Sequence, residues 1–188
     1  MQSQASSFFK SLYEVATVIN SSLNPQVVFQ KVVEQVAQAL SCKACTLRLL
    51  DRSGKNLLAS ASFGLSKGYL RKGHVELLKS RIDADVLSSG NPVYIANVTS
   101  DSRFQYPDAA KEEGIVSILV APLMVEGKPV GVLRIYTDKE RSFSEDETRF
   151  LMAVAHIAAI AIANARLHEA LRSDYELLTQ YNYQVFDD

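Results

Sequence analysis

The sequence predicts an α+β fold built on a mainly antiparallel sheet. Two observations carry this. Apolar residues recur at helical spacing near both ends of the chain, over about 6–40 and 145–180. Between those ends, strand-like runs come in pairs joined by short turns, and tight turns join antiparallel neighbours. The terminal helices are then expected to share one face of the sheet.

The elements follow in order. In "SSFFKSLYEVATVIN" (6–20), apolar residues fall at 8, 9, 12, 15, 16 and 19, the spacing of one helix face. Asn24-Pro25 gives an N-cap followed by proline at the first helical position. The helix it opens, over about 25–40, carries Val28, Val32, Val36 and Leu40 on one stripe. "CTLRLLD" (45–51) and "NLLASASFG" then read as two strands about a turn at Ser53-Gly54. Residues 64–75 contain Gly64, Gly68 and Gly73, and a loop is expected there. "ADVLSSG" (84–90) reads as a short helix closed by Gly90, and "NPVYIANV" (91–98) as a short strand. The piece 102–114 is expected to be irregular or briefly helical, broken by Pro107. Residues 115–137 read as two strands about an "EGK" turn. Ser144 and Glu147 form a capping box, with Glu145, Asp146 and Glu147 favouring the helix dipole. That last helix is expected to run to about 180, with a frayed end at 182–188.

Bulk properties restrict the function. The chain has 188 residues, 47% apolar and 22% charged, with a net charge of −1. No global field favours nucleic acid or an anionic membrane. The start lacks the basic and apolar regions of a signal peptide. The longest apolar stretch, 152–165, has 14 residues by count, short for a bilayer span. A cytoplasmic location is the expectation. Cys42 and Cys45 are spaced C-x-x-C, with no second pair to complete a zinc site. They follow a helix and precede a strand, the reverse of the thioredoxin-like order, so a structural role is expected for them.

Three stretches taken in order resemble a known family, the GAF domain, a small-molecule-sensing and dimerisation module of signalling proteins. They are "SSGNPVYIANVTSDSRF", "EEGIVSILVAPLMVEGKPVGVLRIYTDKERSFSEDE" and "AVAHIAAIAIANARL". The proline of "VAPL" and the "VGVL" strand after its turn are the most telling. The resemblance covers about 24–168. It implies a five- or six-stranded antiparallel sheet, with the N- and C-terminal helices on one face. Loops and short helices would roof a pocket on the other. It divides the chain into an N-terminal helix for dimerisation and signalling (1–23), the GAF-like domain (24–168) and a helical extension with a frayed tail (169–188).

Departures from the subfamilies limit the ligand. The nearest match to the N-K…F-x-x-x-D-E pattern of cyclic-nucleotide-binding members has Asp138 for Asn and a shortened spacing to Asp146-Glu147. No cysteine lies beyond Cys45, so neither a covalent bilin nor the thiols of the sulfoxide-reductase members are expected.

Strand parity places Thr46, Arg48 and Leu50 on one face, and Val130, Val132, Arg134 and Tyr136 on one face. In the family these strands are neighbours, so Arg48 and Arg134 would lie close. Two guanidiniums would suit a carboxylate or phosphate. The alternative is that they pair with acids, with Glu34, Asp51 and Glu147 as candidates. The roof offers Tyr69, His74, Tyr94, Arg103, Phe104 and Tyr106, and with Ser117 and Tyr136 these complete the candidate ligand-binding set. His156 is expected in the core or an interface. The alanine-rich helix looks apolar on more than one side. A dimer interface is therefore expected from Phe8, Leu12, Val15 and Ile19 with Val154, Ile157, Ala158, Ala161 and Ala165.

The expectation is a non-catalytic sensory or regulatory domain. It would bind an unknown small molecule, with an anion favoured by the arginines, and signal through a helical homodimer to an output protein in trans. No certain cofactor, metal, nucleic-acid or membrane partner is expected. Two rivals stand: an interaction scaffold without ligand, and a thiol redox sensor or enzyme using Cys42 and Cys45.

Overall fold

The computed structural model describes residues 2–21 and 24–184. Helices α1 (Gln2–Ser21) and α2 (Pro25–Ala39) lead into strands β1 (Ala44–Leu50) and β2 (Asn56–Phe63). Helix α3 (Lys67–Leu70), strand β3 (Val75–Glu76), helix α4 (Arg81–Ser89), strand β4 (Val93–Ile95) and helix α5 (Pro107–Glu113) follow. Strands β5 (Ser117–Val125) and β6 (Lys128–Thr137) precede the long helix α6 (Glu145–Gln184). The six strands form one sheet in the order β3-β2-β1-β6-β5-β4, antiparallel throughout. The end expected to fray, 182–188, is helical as far as Gln184; its remainder and the boundary expected at residue 23 lie outside the described residues.

Both faces of this sheet are covered, so its central strands are buried along most of their length. On one face α1, α2 and α6 cover Cys45, Leu47, Leu119, Ala121, Leu133 and Ile135. On the other, α3, α4, α5 and their loops cover Ala44, Leu57, Ile118, Val120, Val132 and Tyr136. The alternation between the two sets is the two-residue period of a strand. Gly131 allows β1 and β6 to approach, because a Cβ there would stand 2.2 Å from the Arg48 carbonyl oxygen.

Local chemistry explains the element ends. The Asn24 side chain accepts from the Gln26 N–H at 3.0 Å, ahead of Pro25. Gly90, at φ 68°, closes α4 in the left-handed region. The capping box forms in both directions: Glu147 N–H donates to Ser144 Oγ at 3.2 Å, and Ser144 N–H to Glu147 Oε2 at 2.8 Å.

Some expectations need correction. The glycine-interrupted 64–75 segment is not all loop. Ser66 caps the single turn α3 by accepting from the Tyr69 N–H, and Val75–Glu76 adds a strand to the sheet edge. Pro107 does not break a helix. It begins α5 at a position where its missing N–H costs nothing. By length and composition, Glu145–Arg172 within α6 is apolar enough to cross a membrane, which the 14-residue count did not suggest. Its Leu151, Val154, Ala155, Ala158, Ala159 and Ile162 are core residues packed beneath the sheet.

Candidate functional site

Under the roof, β1 and β6 bring charge into an apolar layer. Thr46 lies opposite Arg134 and Arg48 opposite Val132, so the two arginines are diagonal neighbours on the roof face. Both are nearly excluded from solvent, at 1% and 3% exposure. Their environments differ. Arg134 Nη2 donates to Asp83 Oδ1 on α4, and Asp83 is also held by the Ser80 hydroxyl. Burial alone would lower the Arg134 pKa, but Asp83 and the nearby tyrosines outweigh it and the value is raised. Arg48 has no such partner: its Nε–H is buried and unbonded among the described residues. The Arg134 Nε–H and the Tyr69 hydroxyl are unbonded in the same way. An unmade hydrogen bond at a buried group costs about 1–3 kcal/mol, more at a charge. All three groups can donate, and all three belong to the roof-side layer.

Aromatic rings surround these donors. Tyr69 meets Tyr136 edge-on, with centroids 6.2 Å apart, and the Tyr136 hydroxyl lies 3.0 Å from Thr46 Oγ1. The Arg134 guanidinium sits 5.8 Å from the Phe104 ring centroid. Lys72 extends over Tyr69, its Nζ 3.4 Å from the centroid, and donates to the Tyr69 carbonyl at 3.2 Å. Burial, then the charges of Arg48 and Arg134, push the Lys72 amine down to about 7. The Tyr69 hydroxyl is pushed up by burial and by Tyr136.

The other candidates are placed differently. Tyr106 donates to the His74 carbonyl at 2.8 Å and closes the roof with its ring near Lys72; His74 itself is exposed. Arg103 chelates Asp101 through Nε and Nη2. Ser117 does not join the site. It shares the helix-side face with Leu119 and bonds Thr137 and the Lys139 carbonyl. Tyr94 pairs in register with Leu119, also on the helix side, and packs edge-on against Phe143. The three acids suggested as arginine partners are engaged elsewhere. Glu34 accepts from Gln30, Asp51 organises the β1–β2 turn, and Glu147 caps α6 and pairs with Arg141. Asp83 and Lys72 were missed. Ser80 and Asp83, three apart at the start of α4, are the one local signal pointing to that aspartate.

Two surface depressions, one lined by Asn97, Pro107 and Lys111 and one by Ala96, Ser100 and Glu140, do not include the arginines in their walls. The roof is shut over Arg48 and Arg134.

The helical layer divides the expected interface. Phe8 stacks on Phe150 at 5.0 Å, and Val15, Val154 and Ala158 are buried within the chain itself. Leu12 and Ile19 are partly buried against the same core, and Ile157, Ala161 and Ala165 are half-buried. The exposed apolar side chains of these helices include Phe9, Tyr13, Ile160 and Leu167, and His156 is exposed beside them. Arg141 ties the start of α6 to the α2–β1 corner, donating to the Leu40 carbonyl at 2.7 Å and pairing with Glu147. Cys42 sits at that corner, its thiol pushed up to about 11 by burial, with Arg141 opposing and Glu147 adding. Burial raises Cys45 further. Neither thiol is poised as a nucleophile.

Comparison with known proteins identifies the family. The GAF domain family model matches residues 22–163.

This chain belongs to the GAF domain family.

A GAF domain from a phosphoenolpyruvate-protein phosphotransferase of Coxiella burnetii has the same fold, with a TM-score of 0.78 and 24% identity. The match covers 88% of this chain and 98% of that one. A free methionine-R-sulfoxide reductase of Neisseria meningitidis shares the fold at TM-score 0.72 and 15% identity, over 87% of this chain and 93% of that one. Among curated proteins, a methyl sulfide methyltransferase-associated sensor of Methanosarcina acetivorans is 29% identical over 132 residues, 68% of this chain. A Nif-specific regulatory protein of Azospirillum brasilense is 23% identical over 182 residues, 93% of this chain. The matches span only 13% and 28% of those proteins' lengths. One relative is a sensor and the other a regulator, and family membership supports a sensory or regulatory role here.

Proposed function

We propose that this GAF domain is a non-catalytic sensor that binds a small anion beneath its roof and signals as a cytoplasmic homodimer. The observation that carries this is Arg48, a buried guanidinium with an unbonded Nε–H and no carboxylate partner among the described residues. A scaffold gains nothing from such a group, because an apolar side chain of the same volume would be no less stable. A bound anion gives it a partner. Arg134 Nε and the Tyr69 hydroxyl supply two further donors, and Tyr136 and Phe104 supply ring surfaces.

Access requires the segment bearing Tyr69 and Lys72 to lift. A ligand that binds one roof arrangement better than another shifts the population between them. Strand β6 carries Arg134 and leads through residues 138–144 into α6, which Arg141 fastens to the rest of the chain. Movement at Arg134 is thereby led to the helical layer, where Phe9, Tyr13, Ile160 and Leu167 offer a surface to a second copy. An output protein in trans would read the altered helices. The whole signalling system to which the domain contributes is part of the same proposal.

Native mass spectrometry of the freshly purified protein, followed by denaturing extraction, tests the ligand and the dimer together. A dimer carrying a reproducible small anion, lost in Arg48→Met, is the expected result. The closed roof favours a second reading, an interaction scaffold whose pocket is filled by its own side chains. A dimer with no bound mass, and no anion binding on titration, would favour it.

A further inference from the structure

The buried groups under the roof that lack a partner are all donors. They are the Nε–H of Arg48, the Nε–H of Arg134 and the hydroxyl of Tyr69. The arginines stand on the roof face of adjacent strands, and Asp83 takes Nη2 of Arg134 while its Nε stays free. Both guanidiniums act on the Tyr69 hydroxyl: burial and Tyr136 push it up, and Arg134 and Arg48 oppose them. The described polar groups around these donors are already engaged. Asp83 accepts from Ser80 and Arg134. The hydroxyls of Thr46 and Tyr136 bond each other at 3.0 Å. At the rim, Lys72 donates to the Tyr69 carbonyl at 3.2 Å, and Glu113 accepts from the Ser66 N–H at 2.8 Å and from the Ser66 hydroxyl. The rest of the layer is apolar, with Ile82, Val86, Phe104 and Ile115 above and Val132 opposite Arg48.

The number of donors selects the head group. A carboxylate has two oxygens and about four lone-pair sites, so three donors come close to satisfying it. Sulfate or phosphate brings four oxygens, and most of their lone pairs would go unmet in an apolar layer. A second carboxylate on the same ligand would find no further free donor among the groups named. The acceptors select the body. An amine or hydroxyl on it would need an acceptor, and those named are taken. Aliphatic or aromatic carbon needs none and gains by leaving water. The rings of Tyr69, Tyr136 and Phe104 offer it surface beside the guanidiniums.

We infer that the roof site takes a monocarboxylic acid with an apolar body, aryl or short alkyl. Its carboxylate lies on Arg48, Arg134 and Tyr69, and its carbon among the roof side chains. This rests on the anion reading of the site and names the ligand class.

Titration calorimetry on the full chain at pH 7.5 tests it. The probes are benzoate, butyrate, acetate, succinate, sulfate and the uncharged benzamide. Butyrate should bind about tenfold more tightly than acetate, because two more methylenes leave water. Benzoate should also exceed acetate, and the order of benzoate and butyrate tells an aryl body from an alkyl one. Succinate and sulfate should bind more weakly than butyrate, and benzamide about tenfold or more below benzoate. Arg48→Met should abolish carboxylate binding. Tyr69→Phe keeps the ring and loses one donor, so it should weaken benzoate and acetate alike, by roughly fivefold or more, and keep their order. Succinate or sulfate binding as tightly as benzoate and butyrate would overturn the inference and leave the anion site standing. Acetate equal to both would do the same, since the body would then stay in water. Benzoate binding undiminished in a folded Arg48→Met protein would overturn the inference and the anion site together. Binding of no probe at millimolar concentration would remove the anion site itself and the ligand class with it.

Discussion

The two roof-side arginines should respond in opposite ways to loss of charge. Arg134 is paired with Asp83, and both are buried. Asp83→Asn leaves the guanidinium in place without its counter-charge. Breaking a buried pair from one side costs about 3–5 kcal/mol. For a chain of this size each kcal/mol moves the melting temperature by about 2–4 °C, so a fall of roughly 6–20 °C is expected. Removing both charges, as Asp83→Leu with Arg134→Met, should restore most of that loss, because similar apolar volume fills the space without desolvated charge. Among the described residues Arg48 has no pair to break. Arg48→Met should therefore be neutral, or stabilising by about 1–4 kcal/mol, while anion binding is lost. The assay is thermal and urea unfolding followed by circular dichroism, on the ligand-free protein. If Arg48→Met cost as much as Asp83→Asn, Arg48 would have a structural partner. The case for it as a ligand-binding group would then fail.

Four further outcomes are expected. Because the Lys72 amine ionises near 7 when folded and near 10.5 when unfolded, the unfolded chain binds more protons between those values; stability attributable to this group should rise with pH from about 7 to 10, and Lys72→Met should flatten that slope in urea melts. Both thiols should resist alkylation at pH 8 in the native protein and react fully after unfolding, as mass spectrometry would show. Gly131→Ala should destabilise by about 1–3 kcal/mol in urea melts, since its methyl would collide with the Arg48 carbonyl. Ile160→Arg should shift a dimer toward monomer in sedimentation with the melting temperature little changed, whereas Val154→Arg should prevent folding.

The parts of the fold that were legible in the sequence are those set locally. Asn24-Pro25, Gly90, the Ser144/Glu147 box and the two long hairpins each declare themselves within a few residues. Helix α3 and strand β3 did not, because four and two residues are too few to show a period and the glycines around them suggest loop. Parity within each strand, with the strand neighbours that the family resemblance implied, allowed Arg48 and Arg134 to share a face, and the register of β1 against β6 puts them there. Parity could not tell that Ser117 belongs to the opposite face, since that depends on the register of β5 against β6. Asp83 lies 51 residues from its arginine, and only the docking of α4 brings them together. Lys72 in "RKGH" looks like a solvated lysine, and its partial burial comes from the Tyr69 ring three residues before it and the Tyr106 ring of a distant segment. An apolar stripe on α1 or α6 likewise cannot say whether the chain covers it or leaves it to a second copy. Phe8 and Phe9 are adjacent, and the chain covers the first and leaves the second exposed.

The sheet separates two apolar layers that share only its backbone. The helical layer under β1, β2, β5 and β6 holds α1, α2 and α6, while the roof layer holds three short helices and the charged residues. Such layers can open independently, the weaker one without the stronger. Amide exchange should then show two cooperative units, with the amides of α3 and α4 exchanging sooner than those of α2 and of α6 up to Ile162. A solute could thus be admitted by momentary unfolding of the roof side of the domain, while the helical side keeps its shape.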